Sequence, residues 1–193
     1  MNSMPGALRG VVLIALLGAT VALGIGFWIP VKAEAAQWLL ERAWQDVRSG
    51  QPAARPWPWA DTSPIARLTI PSLDASWIVL SGASGRNLAF APSHMDGSAA
   101  PGALGVSVIA GHRDTHFAVL EGLVQDSEVI LEDAAGNPVR YRVLRIEVID
   151  ATTTSLRLEA DRAMLALVTC YPFDAVTAGG PLRYVVTAQG IAE

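Results

Sequence analysis

The sequence predicts a mainly β domain, a closed or nearly closed barrel with short helices, carried behind an N-terminal transmembrane helix. Three observations predict it. From Ile65 onward, short runs rich in Val, Ile, Leu and Tyr follow one another, several alternating apolar and polar residues, with Gly and Pro between them. Ahead of them, Val11 to Pro30 carries no charge. The composition of the 193 residues is also apolar for a soluble domain, 51% hydrophobic against 17% charged, which a membrane segment accounts for.

The N-terminal run comes first. A helix rises about 1.5 Å per residue, so roughly 20 apolar residues span a hydrocarbon core about 30 Å thick. Residues 11–30 fit that length, with residues 1–10, including Arg9, expected in the cytoplasm and Trp28 near the far interface. Ala33-Glu34-Ala35 has the small-x-small form of a signal cleavage site. The apolar run exceeds the usual signal core, which favours a retained single-pass membrane anchor with the bulk of the chain outside the cytoplasm.

Residues 31–64 form the connection. Ala36, Leu39, Leu40, Ala43, Trp44 and Val47 recur at helical spacing, which predicts an amphipathic helix over Ala33 to Arg48, stopped at Gly50. Gln51 to Pro64 holds four prolines, which exclude regular helix and central strand. Trp57 and Trp59 are too apolar for a free linker and are expected to pack on the domain or on lipid headgroups.

Residues 65–193 form the barrel. IARLTI, SWIVL, GVSVIA, SEVIL, PVRYRVLRIEVI, MLALVT and LRYVVTA are the strand candidates. Ser84 to Phe90 and Thr115 to Leu120 are the two short helical turns. Many short strands in so few residues point to closure of the sheet, since closure removes exposed edges.

The net charge of −4 and the absence of any Lys/Arg run exclude a nucleic-acid binder. The single cysteine excludes an intramolecular disulfide and a Cys-rich metal site. Three polar residues are delivered by apolar strands. VSVIA runs through Gly111 into His112, LALV runs into Thr169-Cys170 with Pro172 behind, and Arg183 begins LRYVV. Each alone has a structural reading: a core thiol, a structural histidine, an edge arginine. Together they carry complementary chemistry. A thiolate attacks, an imidazole takes its proton and later protonates a leaving amine, and a guanidinium that is always charged stabilises a developing oxyanion.

VIAGHRDTHF, then VTCYPF, then GGPLRYVV with Arg183 thirteen positions after Cys170, resembles the sortase family. The PWPWAD stretch and TCYPFDA look most like its Gram-negative branch. The resemblance covers roughly Trp57 to Ala188 together with the anchor. It implies a β-barrel of about eight strands. It also implies a membrane-anchored cysteine transpeptidase that cleaves an LPxTG-like sorting signal of an exported protein. The acyl group would be held as a thioester on Cys170 and passed to an amine. The match carries the nucleophile to Cys170, the acid/base to His112, the cation to Arg183, and a substrate contact to Thr169. His94, in the loop APSHMDG, matches a histidine often found in relatives and is either the second substrate contact or a solvent-exposed loop histidine. No cofactor or metal is implied. The chain departs from many relatives at Gly105-Val106, where they have Gly-Asn, and at Ala166, where they have Thr.

His112 and His116 are spaced as zinc ligands on a helix would be, but Gly-His at a strand end and the lack of an HExxH glutamate argue against it. Asp114 is expected to cap the following helix, and Arg113 and Asp174 to be charges at the rim. The competing functions are an L,D-transpeptidase, which the Thr-Cys-Tyr-Pro context does not fit, a papain-like enzyme, whose Cys precedes its His, and a tethered non-enzymatic barrel, which has no use for the trio.

Overall fold

The structure is a computed structural model and describes residues 18, 34–51, 53–177 and 179–191. Met1–Trp38 and Leu39–Glu193 form two compact units. The expected anchor, residues 11–30, lies outside the described residues apart from residue 18. No helix among the described residues is long and apolar enough to cross a membrane.

A helix, α1, covers residues 34–48, and Gly50 follows in the left-handed region at φ +100°. Its expected apolar stripe is real: Leu40, Ala43, Trp44 and Val47 are buried. Leu40 packs with Leu80 and Ala91, while Trp44 and Val47 pack with Ile78. Glu41 accepts from Arg67 Nη2 through both carboxylate oxygens, at 2.7 and 2.8 Å. The two tryptophans of the proline-rich stretch part company. Trp57 stands edge-on to Phe90 at 4.7 Å between ring centres, whereas Trp59 is 80% exposed.

Eight strands close a barrel: β1 Pro64–Ile70, β2 Ala75–Ser81, β3 Ser93–His94, β4 Gly105–Ala110, β5 Glu128–Asp133, β6 Pro138–Asp150, β7 Ala163–Cys170 and β8 Leu182–Gly190. Their order around the barrel is β1-β2-β3-β4-β7-β8-β6-β5. The β2/β3 and β4/β7 pairs are parallel and the other pairs antiparallel. A short helix, α2 Gly85–Leu88, is capped by the Ser84 hydroxyl on the Asn87 N–H.

Alternation along each strand sorts side chains to the two faces. Ala66, Leu68 and Ile70 of β1, Leu165 and Leu167 of β7, and Val186 and Ala188 of β8 turn into the core with Ile109, Leu131 and Tyr141. β6 is long because it serves two partners. Pro138–Arg142 pair with β5, and Tyr141–Asp150 pair with β8 across a register shift at Val143/Arg145. A bulge bends such a strand and lets the sheet curl shut.

Every expected strand is present. β3 was not expected: two residues carry no periodicity, and a pair of hydrogen-bonded neighbours defines it. The second helical turn lies at Ala118–Gly122 with Phe117 as N-cap and no side-chain cap, so Asp114 is exposed and does not cap it.

Candidate active site

β7 and β8 deliver the first two groups. Their antiparallel register pairs Thr169 with Tyr184 and Cys170 with Arg183. Since Leu165, Leu167, Val186 and Ala188 point into the core, Thr169 and Tyr184 also turn inward, and Cys170 and Arg183 turn outward together. Directly paired residues hold their Cβ atoms about 4.5–5.5 Å apart, so thiol and guanidinium stem are neighbours. The Tyr171 N–H still reaches the Leu182 carbonyl at 3.1 Å; Pro172 has no N–H to continue the ladder.

β4 delivers the third. It runs parallel to β7 with Ala110 opposite Val168. Gly111 prolongs that register, its N–H donating to the Val168 carbonyl at 3.1 Å. The Thr169 hydroxyl donates to the Gly111 carbonyl at 2.7 Å. His112 therefore comes level with Cys170. Because Ile109 points into the core, alternation through Gly111 puts His112 on the outer face, where it is exposed. Only glycine fits at 111, for a Cβ there would meet the Phe117 ring at 2.7 Å. Phe117 is wholly buried and its N–H bonds the His112 carbonyl at 2.9 Å, which folds the chain back just past the histidine.

Arg183 is half-buried, and its Nη1 donates to the carbonyls of Gly180 and Leu182, both at 2.8 Å. Tyr171, Phe173 and Tyr184 form an aromatic cluster beside it, with Phe173 edge-on to Tyr184 at 5.0 Å. Burial, with the charge of Glu121 and then Tyr171 nearby, pushes the Tyr184 hydroxyl above the ordinary tyrosine value.

The two expected substrate contacts both have partners within the chain. Thr169 is 2% exposed, turned inward, with its hydroxyl spent on Gly111. It holds β4 to β7 and does not face the outer surface. His94 is on β3 opposite the core residue Ile109. Its Nε2 lies 2.8 Å from the Ala99 carbonyl and 3.0 Å from the Ser98 hydroxyl, so the ring braces the turn that follows. Arg113 is not a rim charge but is buried, donating from Nη2 to the Ala175 and Thr177 carbonyls. Sequence reasoning missed it because the loop that covers it lies some sixty residues away. Asp174 is exposed, as expected. His116 is half-buried, and burial, then the charge of His112, lower its proton affinity below the ordinary histidine value, with the Phe90 backbone opposing.

Toward the other end of β4, β7 and β8 lies a groove of about 640 Å³. Its floor is Val106, Met164, Ala166, Thr187 and Gln189, and its wall is the β6–β7 connection around Leu156 and Arg157. All five floor residues share the outward parity of Cys170 and Arg183, so the groove and the thiol belong to one surface.

A family model described as the sortase domain matches residues 68–191. Sortase D of Bacillus subtilis (strain 168) is 30% identical over 125 residues, which is 64% of this chain and 62% of that protein. The chain thus spans under two thirds of that relative's length. Among solved structures, sortase A from Corynebacterium diphtheriae superposes with a TM-score of 0.62 at 27% identity, over 70% of this chain and 64% of that one. Sortase C-1 from Actinomyces oris superposes with a TM-score of 0.60 at 28% identity, over 69% of this chain and 77% of that one.

Proposed function

The chain belongs to the sortase family, and on that footing we propose that it is a cysteine transpeptidase with Cys170 as nucleophile, His112 as acid/base and Arg183 as the oxyanion cation. One observation carries the reading: strand register brings the Cys170–Arg183 pair and the His112 strand end onto one outward face of the barrel. A groove floored by strands suits an extended peptide, and the substrate we propose is an exported protein bearing an LPxTG-like sorting signal.

The steps balance without a cofactor. His112 accepts the thiol proton and the Cys170 sulfur attacks the scissile carbonyl, forming a C–S bond while negative charge moves to oxygen beside Arg183. Collapse breaks the C–N bond, His112 returns the proton to the departing amine, and a thioester remains. An acceptor amine then attacks the thioester, forming a new amide and restoring the thiol. The PWPWAD and TCYPFDA stretches are the grounds for assigning the chain to the Gram-negative branch. The uncharged residues 11–30 are the grounds for an inner-membrane anchor with the barrel in the periplasm.

The test is incubation with an LPxTG peptide and no amine. Intact mass should show an acyl adduct on Cys170 that hydroxylamine removes, and Cys170→Ala and His112→Ala should form none. Peptide cleavage persisting in Cys170→Ala would end the proposal, since the chain holds no other thiol. Recovery of the intact N-terminus in the membrane fraction would support the anchor; a mature protein starting near Ala36 would show cleavage instead.

A further inference from the structure

The proposed chemistry leaves one buried charge without a role. Arg113 follows His112 directly and is 8% exposed. No carboxylate pairs with it among the described residues. Its Nη2 donates to the Ala175 carbonyl at 2.9 Å and the Thr177 carbonyl at 2.8 Å, and its Nη1 is buried with no hydrogen-bond partner among the described residues. Taking a guanidinium out of water with no counter-ion is costly, so filling space does not account for it.

Both carbonyls belong to the β7–β8 loop, residues 171–181, which starts beside Cys170 and ends beside Arg183. That loop buries little of itself. Val176 is 100% exposed, and Gly179 and Gly180 sit at φ 97° and 88°. Among the described residues, its own backbone contributes one long bond, from Ala175 N–H to the Pro172 carbonyl at 3.4 Å. Phe173 anchors its start on Tyr184, the Ala151 N–H holds the Pro181 carbonyl at its end at 2.9 Å, and two arginines hold the stretch between. Arg113 grips Ala175 and Thr177 from the His112 side, and Arg183 grips Gly180 and Leu182 from the Cys170 side.

We propose that Arg113 is a positioning residue that clamps the β7–β8 loop to the His112 strand end and, through that loop, fixes the Arg183 guanidinium against Cys170. This rests on the transpeptidase reading. The guanidinium of Arg183 donates its Nη1 to one loop carbonyl, Gly180, and to that of Leu182 at the start of β8, so a loop that drifts pulls on the oxyanion cation. Misplacement by about 1 Å in such a constellation costs on the order of 10²-fold in rate.

The test has two arms on the full chain. In the first, kcat and KM are measured on the sorting peptide for Arg113→Met, Arg113→Lys, Arg183→Ala and the double variant Arg113→Met/Arg183→Ala. Arg113→Met should lower kcat by roughly 10- to 10²-fold while KM moves little. Arg113→Lys should restore part of it, because the ammonium keeps the charge but loses the fork. In the Arg183→Ala background, Arg113→Met should cost less than about threefold more, since a residue acting through Arg183 has nothing left to position. In the second arm, amide exchange across 173–180 should quicken at least about tenfold in Arg113→Met while β4, β7 and β8 keep their protection. Additive losses in the double variant, or unchanged loop exchange, would overturn the clamp. If Arg113→Met does not fold, Arg113→Lys decides by the same exchange measurement, with wild-type loop protection overturning the proposal. Exchange needs no substrate, so a wild-type protein that turns over no peptide would sink the transpeptidase reading while the clamp is still decided.

Discussion

Cys170 and Arg183 are cross-strand partners, the last residue of β7 facing the second of β8. Thirteen positions apart in sequence, they share one face because an antiparallel pair puts opposed residues on the same side of the sheet. Backbone pairing thereby sets the Arg183 Cα opposite that of Cys170, while the guanidinium itself is held by the Gly180 and Leu182 carbonyls. A groove floored by Val106, Met164, Ala166, Thr187 and Gln189 lies further along the same strands.

Arg183→Ala should lower kcat on the sorting peptide by on the order of 10²–10³, the usual cost of one oxyanion donor. Arg183→Lys should recover only part, because an ammonium keeps the charge without the planar fork. Steady-state rates decide it: an Arg183→Ala enzyme at wild-type rate would remove the arginine from the mechanism.

Thr169→Val keeps the shape and removes the donor to the Gly111 carbonyl, leaving a buried acceptor unpaired. The expected loss is about 1–3 kcal/mol, with each kcal/mol lowering Tm by roughly 2–4 °C in a domain of this size. Thr169→Ser should keep most of the stability. Equal melting of wild type and Thr169→Val would show that the bond does not hold β4 to β7.

Gly111→Ala places a methyl 2.7 Å from the Phe117 ring. Overpacking of this kind costs about 1–3 kcal/mol, and here it also pushes on the segment that carries His112. The double variant Gly111→Ala/Phe117→Leu should lose less than the sum of its parts, which denaturant melts of the four proteins would read. Strict additivity would mean that the ring and the glycine do not touch.

Acid should weaken the fold through His116. Burial and the His112 charge hold its folded-state pKa below the ordinary 6.5. The unfolded chain therefore binds more protons in this range, so stability is intact above the ordinary value and is lost as pH falls through the depressed one. Between about pH 7.5 and pH 5, Tm should fall more steeply in the wild type than in His116→Gln. Parallel pH profiles would clear His116 of the effect.

Seven of the eight strands, the amphipathic stripe of α1 and the candidate thiol, imidazole and guanidinium were legible in the local sequence. Alternation and helical spacing are local, so IARLTI or LALVTC announces which side chains turn inward before any partner is known. The tertiary structure decided what depends on distant chain. Register between β4 and β7 brought His112 level with Cys170, although more than fifty residues separate them. The same pairing committed the hydroxyl of the inward-turned Thr169 to the Gly111 carbonyl, a partner that no reading of VTCYPF could assign. β3 exists only because Ser93 and His94 meet Leu80, Ser81, Ile109 and Ala110. Arg113, a charge beside a strand end, reads locally as exposed; the β7–β8 loop buries it by bringing two carbonyls from residues 175 and 177. Hydrogen-bond partners across a closed barrel are set by which strands meet, and no local pattern encodes that.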